Sequence, residues 1–129
     1  MRQFVAATLL VFAGGVAGYA AAQGTAPVTR REPLLENAHV RVWKSYIEPN
    51  QPLNRHRHER GRTLVAIRGG RVKIQQKSGE SQTATWEDGK AYWLDADKPG
   101  TEHVDVNDSG RTIEVIVMEL KDEKAGYKP

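Results

Sequence analysis

The sequence predicts an all-β fold, an antiparallel barrel or sandwich of about eight short strands. Three observations carry this expectation. Runs of β-branched and aromatic residues recur along the chain. Turn signals built on Gly, Pro, Asp and Ser separate them about every 8–12 residues. No segment keeps a helical period of apolar residues over a dozen positions. The chain has 129 residues, which suits one domain rather than two.

The elements follow in order. Val40 to Ile47 (VRVWKSYI) reads as a strand, stopped by Pro49 and Pro52. Thr63 to Ile67 is the next, and Arg68-Gly69-Gly70 reads as a tight turn using the positive φ that glycine tolerates. Arg71 to Gln76 alternates, with Val72 and Ile74 on one face. Ser78-Gly79 turns the chain into Gln82 to Trp86, and Asp88-Gly89 turns it into Lys90 to Leu94. Pro99-Gly100 leads to His103 to Asn107. Thr112 to Leu120 is the last strand, and its apolar residues on both sides imply burial on both faces. Trp43, Trp86 and Trp93 read as core or barrel-mouth aromatics, Tyr46 and Tyr92 as packing residues, and His39 as exposed.

The two ends are set apart from this pattern. Residues 1–22 have the order of a secretory signal peptide: Arg2, an apolar run from Phe4 to Val16, and a small-x-small site at Ala20 and Ala22. Cleavage there would start the mature chain at Gln23 and place it in the periplasm or outside the cell, with no membrane attachment. The competing reading is an uncleaved anchor, since a span needs about 20 residues; Gly14, Gly15 and Gly18 weaken it. No cysteine is present, which excludes a lipoprotein anchor and disulfides. Residues 23–35 read as a flexible lead-in, 36–121 as the folded domain and 122–129 as a loose charged tail. The formal charge of +3 falls to +2 when Arg2 leaves with the leader, too mild to argue for nucleic acid.

His56-Arg57-His58 carries the chemistry. Residues two apart on an extended chain face the same way, and neutral imidazole is a common ligand of divalent transition metals. His103 follows Pro99-Gly100, on a strand that a closed barrel can bring beside the pair. A lone His-x-His is a weak signal, equally consistent with a surface pair beside the arginine-rich run from Arg55 to Arg62.

The flanking residues strengthen it. PLNRHRHERGRTLVAIRG, Pro52 to Gly69, resembles the first cupin motif: a His-x-His pair, an acidic residue, a strand and a glycine turn. PGTEHVDVN, Pro99 to Asn107, resembles the second, which ends in a histidine and, four residues later, an asparagine. The resemblance covers about Val40 to Leu120. It implies the double-stranded β-helix, or jelly-roll barrel, of the cupins. It also implies one divalent metal ion (Fe, Zn, Mn, Cu or Ni) on His56, His58 and His103.

One position departs from the family. Its acidic ligand falls on Arg62, or on Thr63 if the register slips by one. Arginine has no free lone pair to give, so the expected site is three-histidine, with Glu59 or Glu102 as additional ligands if either swings in. Arg62 then has two readings. It binds the anionic group of a substrate, or it pairs with a barrel carboxylate such as Glu114 in a site that has lost its metal. The function implied is a metal-dependent, dioxygenase-like enzyme acting on a small anionic molecule. The alternative is a non-catalytic periplasmic module that binds metal or a small ligand. A homodimer is compatible with both. With ordinary imidazoles, metal occupancy should fall below about pH 6.5.

Overall fold

The computed structural model describes residues 24–121. The expected leader and the expected loose tail lie outside them. Eight strands form: β1 (Arg30–Glu36), β2 (Val40–Ile47), β3 (Arg62–Arg68), β4 (Gly70–Gln76), β5 (Ser81–Trp86), β6 (Ala91–Leu94), β7 (His103–Asn107) and β8 (Ile113–Leu120). All pairings between these strands are antiparallel. One sheet has the order β1-β2-β8-β3-β6 and the other β5-β4-β7. The sheets face each other as a barrel, and no helix forms among the described residues.

Period-two alternation sends one set of side chains inward. Trp43 and Ile47 of β2, Leu64 and Ala66 of β3, Val72 of β4, Trp86 of β5 and Ile113, Val115 and Val117 of β8 build a single core. A fully buried aliphatic side chain of this size contributes roughly 1.5–3 kcal/mol. The apolar residues on the other side of β8 do not enter a second core. Met118 is 36% exposed and Ile116 is half-buried, because among the described residues no layer covers the outer face of the five-stranded sheet. The expectation of burial on both faces is therefore corrected.

Two further expectations change. The lead-in does not stay irregular to Leu35, because Arg30–Glu36 pairs with β2 as an edge strand. Every residue of β1 is exposed, so no apolar alternation announces it. Pro33, which cannot donate to a ladder, sits where the register shifts between Pro33 and Leu35; edges and bulges are where a strand admits proline. The glycine pair is not a positive-φ turn either. Positive φ falls on Asn50, Gly79, Gly89 and Gly100. Gly69 is the single link by which β3 of one sheet passes to β4 of the other. A Cβ there would lie 1.9 Å from the Trp86 carbonyl oxygen, and one at Gly70 would lie 2.7 Å from Ile113. Both positions need glycine for close approach.

The barrel has two unlike ends. At one, Gly69, the β5–β6 turn and the β7–β8 turn pack together. Asn107, fully buried, ties the β7–β8 turn to the end of β2: its amide donates to the carbonyls of Ile47 and Arg111 at 2.7 Å each, and its Oδ1 accepts from the Ser109 N–H and hydroxyl at 2.8 and 2.6 Å. The segment between β2 and β3 runs along β7 from Asn107 to His103, and its later part reaches the other end, with the β6–β7 segment and the first residues of β3 and β7.

Candidate metal site

His56, His58 and His103 converge at that second end. One ring nitrogen from each lies within 4.8 Å of the others. The ring centroids are 4.5 Å apart for His56 and His103, 4.8 Å for His56 and His58, and 5.7 Å for His58 and His103. The backbone makes this convergence. His56 and His103 exchange both amide hydrogen bonds, at 3.0 and 2.9 Å, as an isolated antiparallel bridge. The His58 amide donates to Asp97 Oδ2 at 2.7 Å.

An acceptor holds Nδ1 of His56, and carboxylates stand near Nδ1 of the other two rings. His56 Nδ1 is 2.6 Å from the Asn54 carbonyl, His103 Nδ1 is 3.3 Å from Asp97 Oδ2, and His58 Nδ1 is 3.7 Å from Glu119 Oε2. A ring held by an acceptor on one nitrogen offers the lone pair of the other, the arrangement that orients metal-bound histidines. His56 Nε2 is buried and has no hydrogen-bond partner. A divalent ion fits this donor set: three imidazoles, one with an orphaned buried nitrogen.

Arg62 is 7% exposed and lies on the interior face of β3, level with Glu119 of β8. It donates one hydrogen bond, to the Asp95 carbonyl at 3.0 Å, and has no ion pair among the described residues. Glu114 is not its partner. That carboxylate faces outward and pairs with Lys44 at 2.8 Å and Arg68 at 3.7 Å. Glu59 and Glu102 do not join the triad either: Glu59 is exposed and paired with Arg57, and Glu102 is paired with Lys77 at 3.5 Å. The carboxylates near the histidines are instead Asp97, Asp105 and Glu119. Period two could have found two of them. Asp105 is two residues past His103 on β7, and Glu119 continues the inward series Ile113, Val115, Val117. Asp97 lies in a loop and Arg31 on the unexpected β1, so neither had a signal.

Behind the triad is a cavity of about 260 Å³, walled by Leu64, Val115, Val117 and Trp86 and reached by Arg31, Arg62, His58 and His103. An outer groove of about 840 Å³ shares Arg31, Trp43 and His58 with it, so the cavity has an approach from solvent. Trp43 lies parallel to His58. Trp93 is 56% exposed and is a rim residue rather than a core one. His39 is exposed.

The site resists protonation. Burial, then the Arg62 charge, pushes the His58 imidazole down to about 2. Burial, with help from Arg31, lowers that of His56. Burial also lowers Arg62, opposed by Asp97, Asp105 and Glu119. The expected fall in metal occupancy below pH 6.5 rests on ordinary imidazoles, and these two stay neutral to lower pH in the folded chain. The unfolded chain takes up protons near pH 6.5, so the metal-free fold loses stability as pH drops below that value. The loss is at most about 1.4 kcal/mol per pH unit for each such histidine. Urea midpoints of metal-free protein should therefore fall between pH 7.5 and 5.5, above the range where carboxylates contribute. A flat or rising midpoint would contradict this.

No protein-family model and no curated protein matches the sequence. Solved structures do match. A cupin domain from Bordetella pertussis superposes with a TM-score of 0.65 at 23% identity, covering 74% of this chain and 96% of that one. An RmlC-like cupin family protein with a double-stranded β-helix fold, from Methanocaldococcus jannaschii, gives 0.57 at 15% identity over 78% and 87%. A double-stranded β-helix domain protein from Klebsiella pneumoniae gives 0.55 at 19% identity over 76% and 81%. These likenesses agree with the eight-strand barrel. The chain has the double-stranded β-helix fold of the cupins.

Proposed function

We propose that this is an exported cupin that binds one divalent metal ion through His56, His58 and His103 and presents it to a small anionic molecule held by Arg62. The observation that carries the reading is the pairing of two features at one end of the barrel: a histidine triad with an orphaned buried nitrogen, and a buried arginine that lines one cavity with His58 and His103 and donates a single side-chain hydrogen bond among the described residues. A guanidinium has five donors, and leaving most of them unmatched in a buried site is costly. A carboxylate ligand would match two at once. A redox-active metal on the triad would supply the O₂- and substrate-binding centre of a dioxygenase-like reaction. The chain's own part is to anchor the anion on Arg62, to keep His56 and His58 neutral, and to line the cavity with Leu64, Val115 and Val117.

Metal analysis of protein purified without a histidine tag, followed by oxygen uptake across a panel of small carboxylic acids and phenols, tests this reading. Stoichiometric metal with no uptake on any substrate would favour the non-catalytic binding module. Arg62→Met keeps the aliphatic stem and removes the charge. It should weaken binding of a panel carboxylate about 10–100-fold, the range of a lost charged hydrogen bond, and should raise metal affinity. Arg62→Glu should move both in the same directions and further. Calorimetry showing neither change would remove Arg62 from the ligand site.

A further inference from the structure

We infer that Asp105 is a fourth, carboxylate ligand of the metal, so that the acidic donor missing from β3 is supplied by β7. The inference rests on the metal reading of the triad and deepens it.

Asp105 stands on the ion side of the rings. Its Oδ2 lies 3.8 Å from His56 Nε2 and its Oδ1 lies 3.7 Å from His103 Nε2. In both histidines the opposite nitrogen faces an acceptor that can only take a hydrogen bond, the Asn54 carbonyl and the Asp97 carboxylate. With the proton on each Nδ1, both Nε2 atoms present lone pairs. Two lone pairs and a carboxylate then face one another in a half-buried space with no donor among them. Such acceptors repel unless a cation lies between them. Donors each about 2.1 Å from one ion lie about 3.0–3.4 Å apart, a little inside the spacings seen here. Small side-chain rotations close the difference.

Strand geometry explains why Asp105 and not another acid takes this place. His103 and Asp105 are two residues apart on β7 and share its inward face. Asp97 and Glu119 approach the outward Nδ1 atoms instead, and so orient rings rather than hold the ion. Asp105 also brings negative charge to the ion where Arg31 and Arg62 bring positive charge.

Asp105→Asn is close to isosteric and decides the matter. Zn²⁺ affinity, measured by competition with a chromophoric chelator, should fall at least tenfold. The visible spectrum of the Co²⁺-loaded variant should differ from wild type, because a carboxylate oxygen leaves the ion. Asp108→Asn, which removes a carboxylate paired with Arg71 at the opposite end of the barrel, should leave the Co²⁺ spectrum in place. If Asp105→Asn matches wild type in affinity and spectrum while His103→Ala loses the metal, Asp105 is not a ligand and the triad stands alone. If wild type binds neither Zn²⁺ nor Co²⁺, the triad reading falls and this inference with it. Should Asp105→Asn fail to fold, a crystal structure of Zn²⁺-loaded wild type serves: an Asp105 oxygen about 2.0–2.2 Å from the ion supports the assignment, and one beyond about 3 Å overturns it.

Discussion

Replacing His103 by alanine is expected to strip the protein of metal, weakening Zn²⁺ binding at least 100-fold. That exceeds the about 10–100-fold effects that outer partners such as Asp97 exert on a metal site. The prediction is clean because the substitution separates ring from backbone. The amide and carbonyl of His103 hold His56 in place, and alanine keeps both. The ring alone disappears, and with it one of three neutral donors. His58→Ala should behave likewise, since its amide bond to Asp97 also survives. Chelator competition gives the affinity, and a circular dichroism spectrum unchanged from wild type shows that the barrel persists. Retention of stoichiometric metal by either variant would remove the triad as the binding site.

The second large effect concerns stability. Asn107→Ala should lower the free energy of unfolding by roughly 3–5 kcal/mol, a large part of the 5–15 kcal/mol typical of a small domain. The side chain is fully buried and its amide satisfies four groups on three residues, from two segments: Ile47, Ser109 by two groups, and Arg111. Each polar group left unpaired in such a place costs about 1–3 kcal/mol. Asn107→Asp is expected to be no better, because two donors become acceptors facing carbonyls. Urea unfolding of metal-free protein measures both variants, and a loss below about 1 kcal/mol for Asn107→Ala would show that the network is dispensable. The asparagine that closes the second motif thus has a structural task, and the histidine that opens it faces the other end of the same strand.

Legibility of the fold depended on whether a strand buries one face. β2, β4 and β8 alternate and were legible with nearly correct bounds. β1 buries nothing, so its sequence carries no periodic imprint, and Arg31 went unseen with it. The same geometry explains the error over the extra ligands. Glu59 follows His58 directly and Glu102 precedes His103 directly. Nearest neighbours on an extended chain point to opposite faces, so these two turn away for the reason that His56 and His58 turn together. The rule that found the pair also selects Asp105. The convergence of β7 with the His56–His58 segment is a long-range fact that only the resemblance, not local pattern, brought within reach.

The unlike ends of the barrel have a consequence for how such a chain can change. The links that join the two sheets at the Asn107 end are short and tightly packed around Gly69, where even a methyl group collides with backbone. The histidine end is served by residues 54–61 and 95–102, which carry ligands and rim residues but little of the core. Binding chemistry and architectural integrity are thereby assigned to opposite poles of one small molecule. Ligands can be exchanged, added or lost at the open pole while the closed pole keeps the sheets in register, so a lineage can change its reaction without passing through an unfolded intermediate sequence.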